Sequence, residues 1–116
     1  MEAIAHARFQ RFGARKVGQV LAQIRGKSVA SAEQMLPMIP RRATELVGKT
    51  LRSAAANLQQ RLGKPVDTGT LFVKSAWVCQ GPMGNMKRVL PAPQGRAYTF
   101  KRKVCHLTMV VSDERK

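Results

Sequence analysis

The chain has 116 residues, of which 21 are Lys or Arg and six are Asp or Glu, giving a formal net charge of +15. This length predicts one domain, residues 1–116, and an apolar share of 44% excludes disorder throughout. Positive charges in this excess repel one another, which favours a polyanionic partner that neutralises them; nucleic acid is the leading candidate. With no run of 18 apolar residues and no signal-peptide segment, we expect no membrane partner and a cytoplasmic protein of bacterial type.

The first half of the chain predicts one strand and three helices. Residues 2–9 read as a short strand, and an apolar stripe predicts a helix over residues 14–25. Ser28 is placed to cap a short second helix. Pro40 suits the first turn of a long third helix, which Gly63 ends. The buried face of this third helix is predicted to hold Ala43, Leu46, Val47, Thr50, Leu51, Ala54 and Leu58.

The second half predicts two strands that flank a long insertion. Residues 71–80 and residues 104–112 both alternate in hydrophobicity and are expected to pair antiparallel. The 23 residues between them, 81–103, would then form a hairpin that protrudes about 30 Å. The globular body is predicted to comprise residues 1–80 and 104–116.

The insertion is cationic and has few means of folding alone. No acidic residue occurs between Asp67 and Asp113, and the hairpin has few large apolar side chains, among them Val89, Leu90, Tyr98 and Phe100. Because a two-stranded ribbon is marginal in water, we expect the hairpin to become ordered only on its partner. Its six basic residues, which we expect to contact phosphates, are Lys87, Arg88, Arg96, Lys101, Arg102 and Lys103.

Other chemistries find little support in the sequence. His6, Cys79, Cys105 and His106 lack the spacing of a zinc site, so the cysteines are interpreted as core thiols, and no metal or other cofactor is predicted. No nucleophile motif, phosphate-binding glycine loop or carboxylate pair is present, which argues against an enzyme and a small-molecule substrate. Trp77 could stack on a base, but its alternating strand favours a core position.

Four segments carry a resemblance to a known family. They are ARKVGQVLAQIRGKSVASAEQML (14–36), KTLRSAAAN (49–57), GPMGNMKRVLPAPQGRA (81–97) and KRKVCHLTMVVSD (101–113). In this order and spacing they resemble the large-subunit ribosomal protein L22 family of bacterial type. The same composition without these motifs would equally suit a free-standing basic nucleic-acid binder of the nucleoid or RNA-chaperone kind, which is the alternative function.

The resemblance implies a fold and a role. The fold is α+β, with a three-stranded antiparallel sheet packed on three helices and a long protruding β-hairpin. The role is that of a non-enzymatic constituent of the large subunit that binds rRNA and assists assembly. Its hairpin tip would form part of the wall of the exit tunnel. The implied partners are large-subunit rRNA, neighbouring ribosomal proteins and the nascent peptide.

The resemblance and the charge pattern together give a set of site residues. The tunnel tip comprises Leu90, Pro91, Ala92, Pro93, Gln94, Gly95 and Arg96. The rRNA-binding residues are Arg8, Arg11, Arg15, Lys16, Arg25, Lys27, Lys49, Arg52, Lys74, Lys87, Arg88, Arg96, Lys101, Arg102, Lys103 and His106.

The chain departs from the family pattern at three places. PAPQGRA stands where PRARGRA is common, so Ala92 and Gln94 replace arginines. About two residues are added at 83–85, and Gly13 stands where a helix-capping Ser is usual. The tip is therefore expected to carry less charge than is typical of the family.

Overall fold

The computed structural model describes residues 1–82 and 87–113; the predicted two-residue addition at 83–85 lies outside them. The described residues form three α-helices and five strands, and the α+β class is confirmed. In chain order the elements are β1 (Glu2–Gln10), α1 (Ala14–Ile24), α2 (Val29–Met35), α3 (Thr44–Leu62), β2 (Phe72–Gln80), β3 (Lys87–Pro91), β4 (Ala97–Lys101) and β5 (Cys105–Ser112).

A three-stranded antiparallel sheet in the order β1-β5-β2 forms the base of the fold. Met109 of β5 lies opposite Ala5 of β1 on one side and opposite Ala76 of β2 on the other. The predicted pairing of the two alternating runs is therefore confirmed. β5 is buried along almost its whole length, as expected for the central strand of the sheet.

The helices bury the faces that their periodicity predicts. The stripe of α1 is buried, with Leu21 and Ile24 inaccessible to solvent, and Ser28 caps α2 by accepting a hydrogen bond from the Ser31 N–H (3.2 Å). α3 packs on β1 and β5, and α1 packs on β2. Within residues 1–82 and 87–113, no helix is both long and apolar enough to cross a bilayer.

The predicted start of α3 is wrong, because the helix begins at Thr44 rather than at Pro40. The preceding residues form a separate turn, in which the Arg41 N–H donates to the Ile39 carbonyl (2.8 Å). The Thr44 hydroxyl then donates to the Arg41 carbonyl (2.8 Å), using an acceptor that a longer helix would need. This leaves the Arg41–Arg42 pair exposed at the beginning of the helix.

A β-bulge in β2 overturns the prediction that Trp77 is a core residue. Val73 pairs with Val111 but Ser75 pairs with Val110, so Lys74 is an extra residue in the ladder. One inserted residue exchanges the inward and outward faces of all that follows. Trp77 is consequently 44% exposed, while its neighbour Ala76 is buried.

The predicted hairpin is confirmed: β3 and β4 pair with each other and form a separate two-stranded sheet. The molecule measures 64 × 26 × 20 Å and its radius of gyration is 17.4 Å, whereas a compact chain of this length would have about 13 Å. Val89 and Tyr98 are 63% and 62% exposed. Of the hairpin residues whose burial the structure describes, 81–82, 89–100 and 102–103, none is buried.

Candidate nucleic-acid interface

The tip of the hairpin is a short exposed turn. Pro91 pairs with Ala97, and the Ala92 N–H donates to the Arg96 carbonyl (2.9 Å) to close the loop between them. Gln94 and Gly95 both have positive φ, 62° and 69°, which reverses the chain. The fold therefore brings together the seven predicted tip residues, Leu90, Pro91, Ala92, Pro93, Gln94, Gly95 and Arg96.

The arms of the hairpin expose apolar as well as basic groups. Leu90 pairs with Tyr98 across the two strands, and both are more than half exposed. The Arg102 guanidinium lies 5.3 Å from the centroid of the Phe100 ring, a cation–π contact. Lys87, Arg88 and Lys101 occupy the β3–β4 ladder that leads to the tip. The exposed Tyr98 ring and the cationic residues of the same arms suit a partner that offers both base faces and phosphates.

A cleft of about 1180 Å³ lies at the root of the hairpin. Four separate parts of the chain line it: the start of α1 with the residues before it, the turn before α3, the end of β2, and the end of β4 with the segment that follows. The stem of Lys103 packs over the start of α1, since a Cβ built on Gly13 would lie 3.8 Å from Lys103 Cδ. Seven cationic residues line the cleft: Arg11, Arg15, Lys16, Arg41, Arg42, Arg102 and Lys103.

The cleft has a strongly positive potential. Among the residues that the structure describes, none in the lining is acidic. The two ion pairs found there lie elsewhere, joining the N-terminus to Asp113 (2.9 Å) and Lys74 to Glu2. Gly13 begins α1 without a side chain to cap it. The positive end of the helix dipole therefore adds to the field of the seven cations. This arrangement is suited to binding a polyanion.

Two of the predicted RNA-binding residues also make contacts that stabilise the fold. Arg25 Nε donates to the carbonyl of Ala76 (2.9 Å), which ties the end of α1 to β2. Lys27 Nζ donates to the sulfur of Met35 (3.1 Å). Both residues are exposed, so their remaining donors face solvent. Their removal would therefore affect the stability of the fold, apart from any role in binding.

Two further predicted residues have partners within the chain. Lys74 is ion-paired with Glu2 across the sheet, so part of its charge is already neutralised. His106 is half-buried; its Nδ1 accepts from the Phe9 N–H (3.0 Å), and the two rings meet edge to face, 4.8 Å between centroids. Phe9 has a positive φ of 56° in the β1 bulge. His106 thus supports a strained backbone position.

The remaining predicted residues of the body lie away from the cleft. Arg8 is exposed on β1, and Lys49 and Arg52 are exposed on the outer face of α3. The structure therefore divides the predicted set into cations that converge on the cleft, cations of the hairpin and single exposed residues elsewhere.

Arg41 and Arg42 are the cleft residues that the sequence analysis missed. Two adjacent arginines between helices are a visible signal, but Pro40 favoured placing them inside α3. Their exposure depends on the turn that delays the helix to Thr44.

Comparison with known proteins assigns the chain to a family. Residues 5–112 match the family model described as ribosomal protein L22p/L17e. The chain is 46% identical to large ribosomal subunit protein uL22 of Prochlorococcus marinus over 95% of its length and 83% of the relative's. It is 44% identical to uL22 of Pelotomaculum thermopropionicum and 42% identical to that of Clostridium tetani, in both cases over at least 97% of each chain. The predicted resemblance is confirmed, and the chain belongs to the ribosomal protein L22p/L17e family.

Proposed function

We propose that the hairpin and the cationic cleft hold this chain on large-subunit rRNA, and that the hairpin tip faces the nascent peptide in the exit tunnel. As a member of its family, the chain is a structural constituent of the large ribosomal subunit and is not an enzyme. It therefore lies in the ribosome, in the cytoplasm. Its partners there are rRNA and other ribosomal proteins. The finer assignment concerns which residues of this chain make those contacts.

The hairpin is the observation that carries the proposal. Its strands have no partner in the three-stranded sheet, and Val89, Leu90 and Tyr98 remain exposed. Ordering a backbone costs about 1 kcal/mol per residue, and this ribbon buries too little to offset that cost. Phosphate contacts made by the six hairpin cations supply the missing stabilisation when rRNA surrounds them.

The tip is proposed to contact the peptide rather than only RNA. Of its seven residues Arg96 alone is charged, and all but the half-buried Ala92 are exposed. A surface of this kind offers mainly uncharged and apolar groups to a passing peptide, with a single positive charge. We also propose that residues 1–116 act as one domain, with 81–103 as its extension.

The contribution of Arg96 to rRNA binding is tested by comparing Arg96→Ala with Gln94→Ala. Both variants change an exposed tip residue, but only the first removes a guanidinium. A hydrogen bond to a charged group contributes about 1.5–3 kcal/mol, so Arg96→Ala should weaken competition for the rRNA site at least about tenfold. Gln94→Ala should change it less than about twofold. Equal losses would contradict the assignment of Arg96.

The peptide contact is tested by photo-crosslinking. A photoreactive residue is placed at Gln94 or, as a control, at the exposed Gln60 on α3, and the variants are incorporated into translating ribosomes. We expect crosslinks to the nascent peptide from position 94 and none from position 60. Suppose that each variant is incorporated into ribosomes but that neither position 94 nor position 60 crosslinks to the peptide. That result would overturn the tunnel assignment and leave rRNA binding intact.

A further inference from the structure

The cationic cleft contains more positive charge than one small anion can neutralise. Its seven cations include five arginines, each able to form two parallel hydrogen bonds with a phosphate. No described residue of the lining is acidic, and the ion pairs found within residues 1–82 and 87–113 do not involve these cations. Seven like charges held together repel one another, and a run of phosphates relieves that repulsion with many charges at once.

The walls of the cleft belong to two parts of the molecule that are otherwise poorly connected. Arg41 and Arg42 are fixed to the body at the start of α3, whereas Arg102 and Lys103 follow the last strand of the hairpin. β3 and β4 share no ladder with the sheet of the body. An anion bound between these walls therefore contacts the body and the hairpin simultaneously.

We propose that the cleft binds successive phosphates of an RNA strand and that these phosphates fix the root of the hairpin against the body. This inference rests on the proposed function, since it assumes an RNA partner. It adds Arg41 and Arg42 as binding residues. It also assigns to the RNA a role in setting the direction in which the hairpin leaves the body. The uncapped start of α1 contributes its backbone N–H groups to the same site.

The decisive experiment removes charge from the body wall and observes the hairpin. The variant Arg41→Gln/Arg42→Gln keeps every cation of the hairpin. The control Arg61→Gln/Lys64→Gln loses the same charge at exposed positions outside the cleft. The full chain is titrated with a 12-nucleotide single-stranded oligouridylate over a range of salt, and amide exchange of Ala97–Phe100 is followed with and without the oligonucleotide.

We expect the oligonucleotide to slow exchange at Ala97–Phe100 in the wild type and the control, but not in the cleft variant. The slope of log K against log salt should fall by about 1.4 in the cleft variant, since each lost single-strand phosphate contact contributes about 0.7. Equal slopes in the two variants would overturn the site. A reduced slope with unchanged hairpin protection would overturn the coupling.

Two further measurements keep these outcomes separate from folding and from the proposed function. Should the Arg41→Gln/Arg42→Gln chain fail to fold, Arg102→Gln/Lys103→Gln tests the opposite wall by the same salt slope. Incorporation of the wild-type chain into large subunits is measured independently. If the wild type is not incorporated, the proposed function fails; if it is incorporated and the slopes are equal, only the cleft inference fails.

Discussion

The body and the hairpin of this protein are stabilised in opposite ways. In the body, α1, α3 and β5 bury side chains such as Leu21, Leu51 and Leu107 completely. In the hairpin, Val89, Leu90 and Tyr98 are all more than half exposed, although the strands are fully paired. Backbone pairing alone gives a marginal ribbon, whereas a buried face gives a stable fold. We therefore expect the body to fold without a partner and the hairpin to become ordered only on one.

The largest expected difference between the two regions is in amide exchange. In the free chain, the amides of Val89–Gln94 should exchange within about tenfold of an unfolded peptide, because opening the hairpin exposes little apolar surface. The buried ladder of Leu107–Val111 should be protected about 10³-fold or more, as opening it requires unfolding of the body. Exchange measured by mass spectrometry or NMR at one pH gives both values.

If the amides of the hairpin exchange as slowly as those of β5 in the free chain, the two regions do not differ in stability. In large subunits that contain the chain, protection of Val89–Gln94 should rise toward that of the body. This second measurement is the positive control for a partner-dependent hairpin.

Truncation of one leucine in each region should give the next largest contrast. Leu21→Ala removes a side chain with no solvent exposure from the core and should lower the free energy of unfolding by about 2–5 kcal/mol. Leu90→Ala removes a side chain that is already 52% exposed and should change it by less than about 0.5 kcal/mol. Urea denaturation of the two free variants measures both. A large loss for Leu90→Ala would show that the hairpin packs on something in the free chain.

The two cysteines mark where the packed body ends. Cys79 is exposed in β2, so its interpretation as a core thiol is wrong, whereas Cys105, the first residue of β5 after the hairpin, is buried as predicted. Burial raises the pKa of the Cys105 thiol, although a hydrogen bond from the backbone of Phe12 opposes this shift. Cys105 should therefore react slowly for two reasons: burial limits the access of a reagent, and the raised pKa lowers the fraction of reactive thiolate.

A thiol reagent at pH 8 should modify Cys79 at least about 100-fold faster than Cys105 in the free chain. The variant Cys79→Ser should abolish the fast phase and keep the slow one. If Cys105 reacts rapidly while the hairpin is open, the opening extends into β5, and the boundary between the regions lies further along the chain.

Much of this contrast could be predicted from local patterns. Four apolar residues at helical spacing identify the buried stripe of α1, and alternation identifies β2 and β5. The absence of acids between Asp67 and Asp113 identifies the cationic hairpin. These features succeed because each depends on residues that are close in sequence and have a fixed period.

The errors arose where the local pattern was interrupted or where distant segments meet. Alternation placed Trp77 in the core because the bulge at Lys74 leaves no mark in the sequence of β2. The helix signal of Pro40 concealed the turn that exposes Arg41 and Arg42. The cleft itself joins segments about 30 and 60 residues apart in the chain, so no spacing rule could identify it.

The smallest expected effect concerns Gly13, at the junction of the two regions. Gly13 has the extended conformation of an N-cap (φ −72°, ψ 133°) but makes no side-chain cap. A Cβ there would meet only Lys103 Cδ, at an ordinary 3.8 Å, so Ser fits without strain. Gly13→Ser should stabilise the free chain by a few tenths of a kcal/mol, measured as a shift in the urea midpoint.

Gly13→Ala is the matched control, because it adds the same Cβ without an oxygen that can accept from the first turn of α1. Since Ala is a poorer N-cap than Gly, this variant should be less stable than the wild type. If both variants gained equally, the reduced freedom of the unfolded chain would explain the gain, and no cap would have formed. A serine that does cap α1 occupies the N–H groups assigned to RNA phosphates, so the same substitution should stabilise the body while weakening anion binding in the cleft.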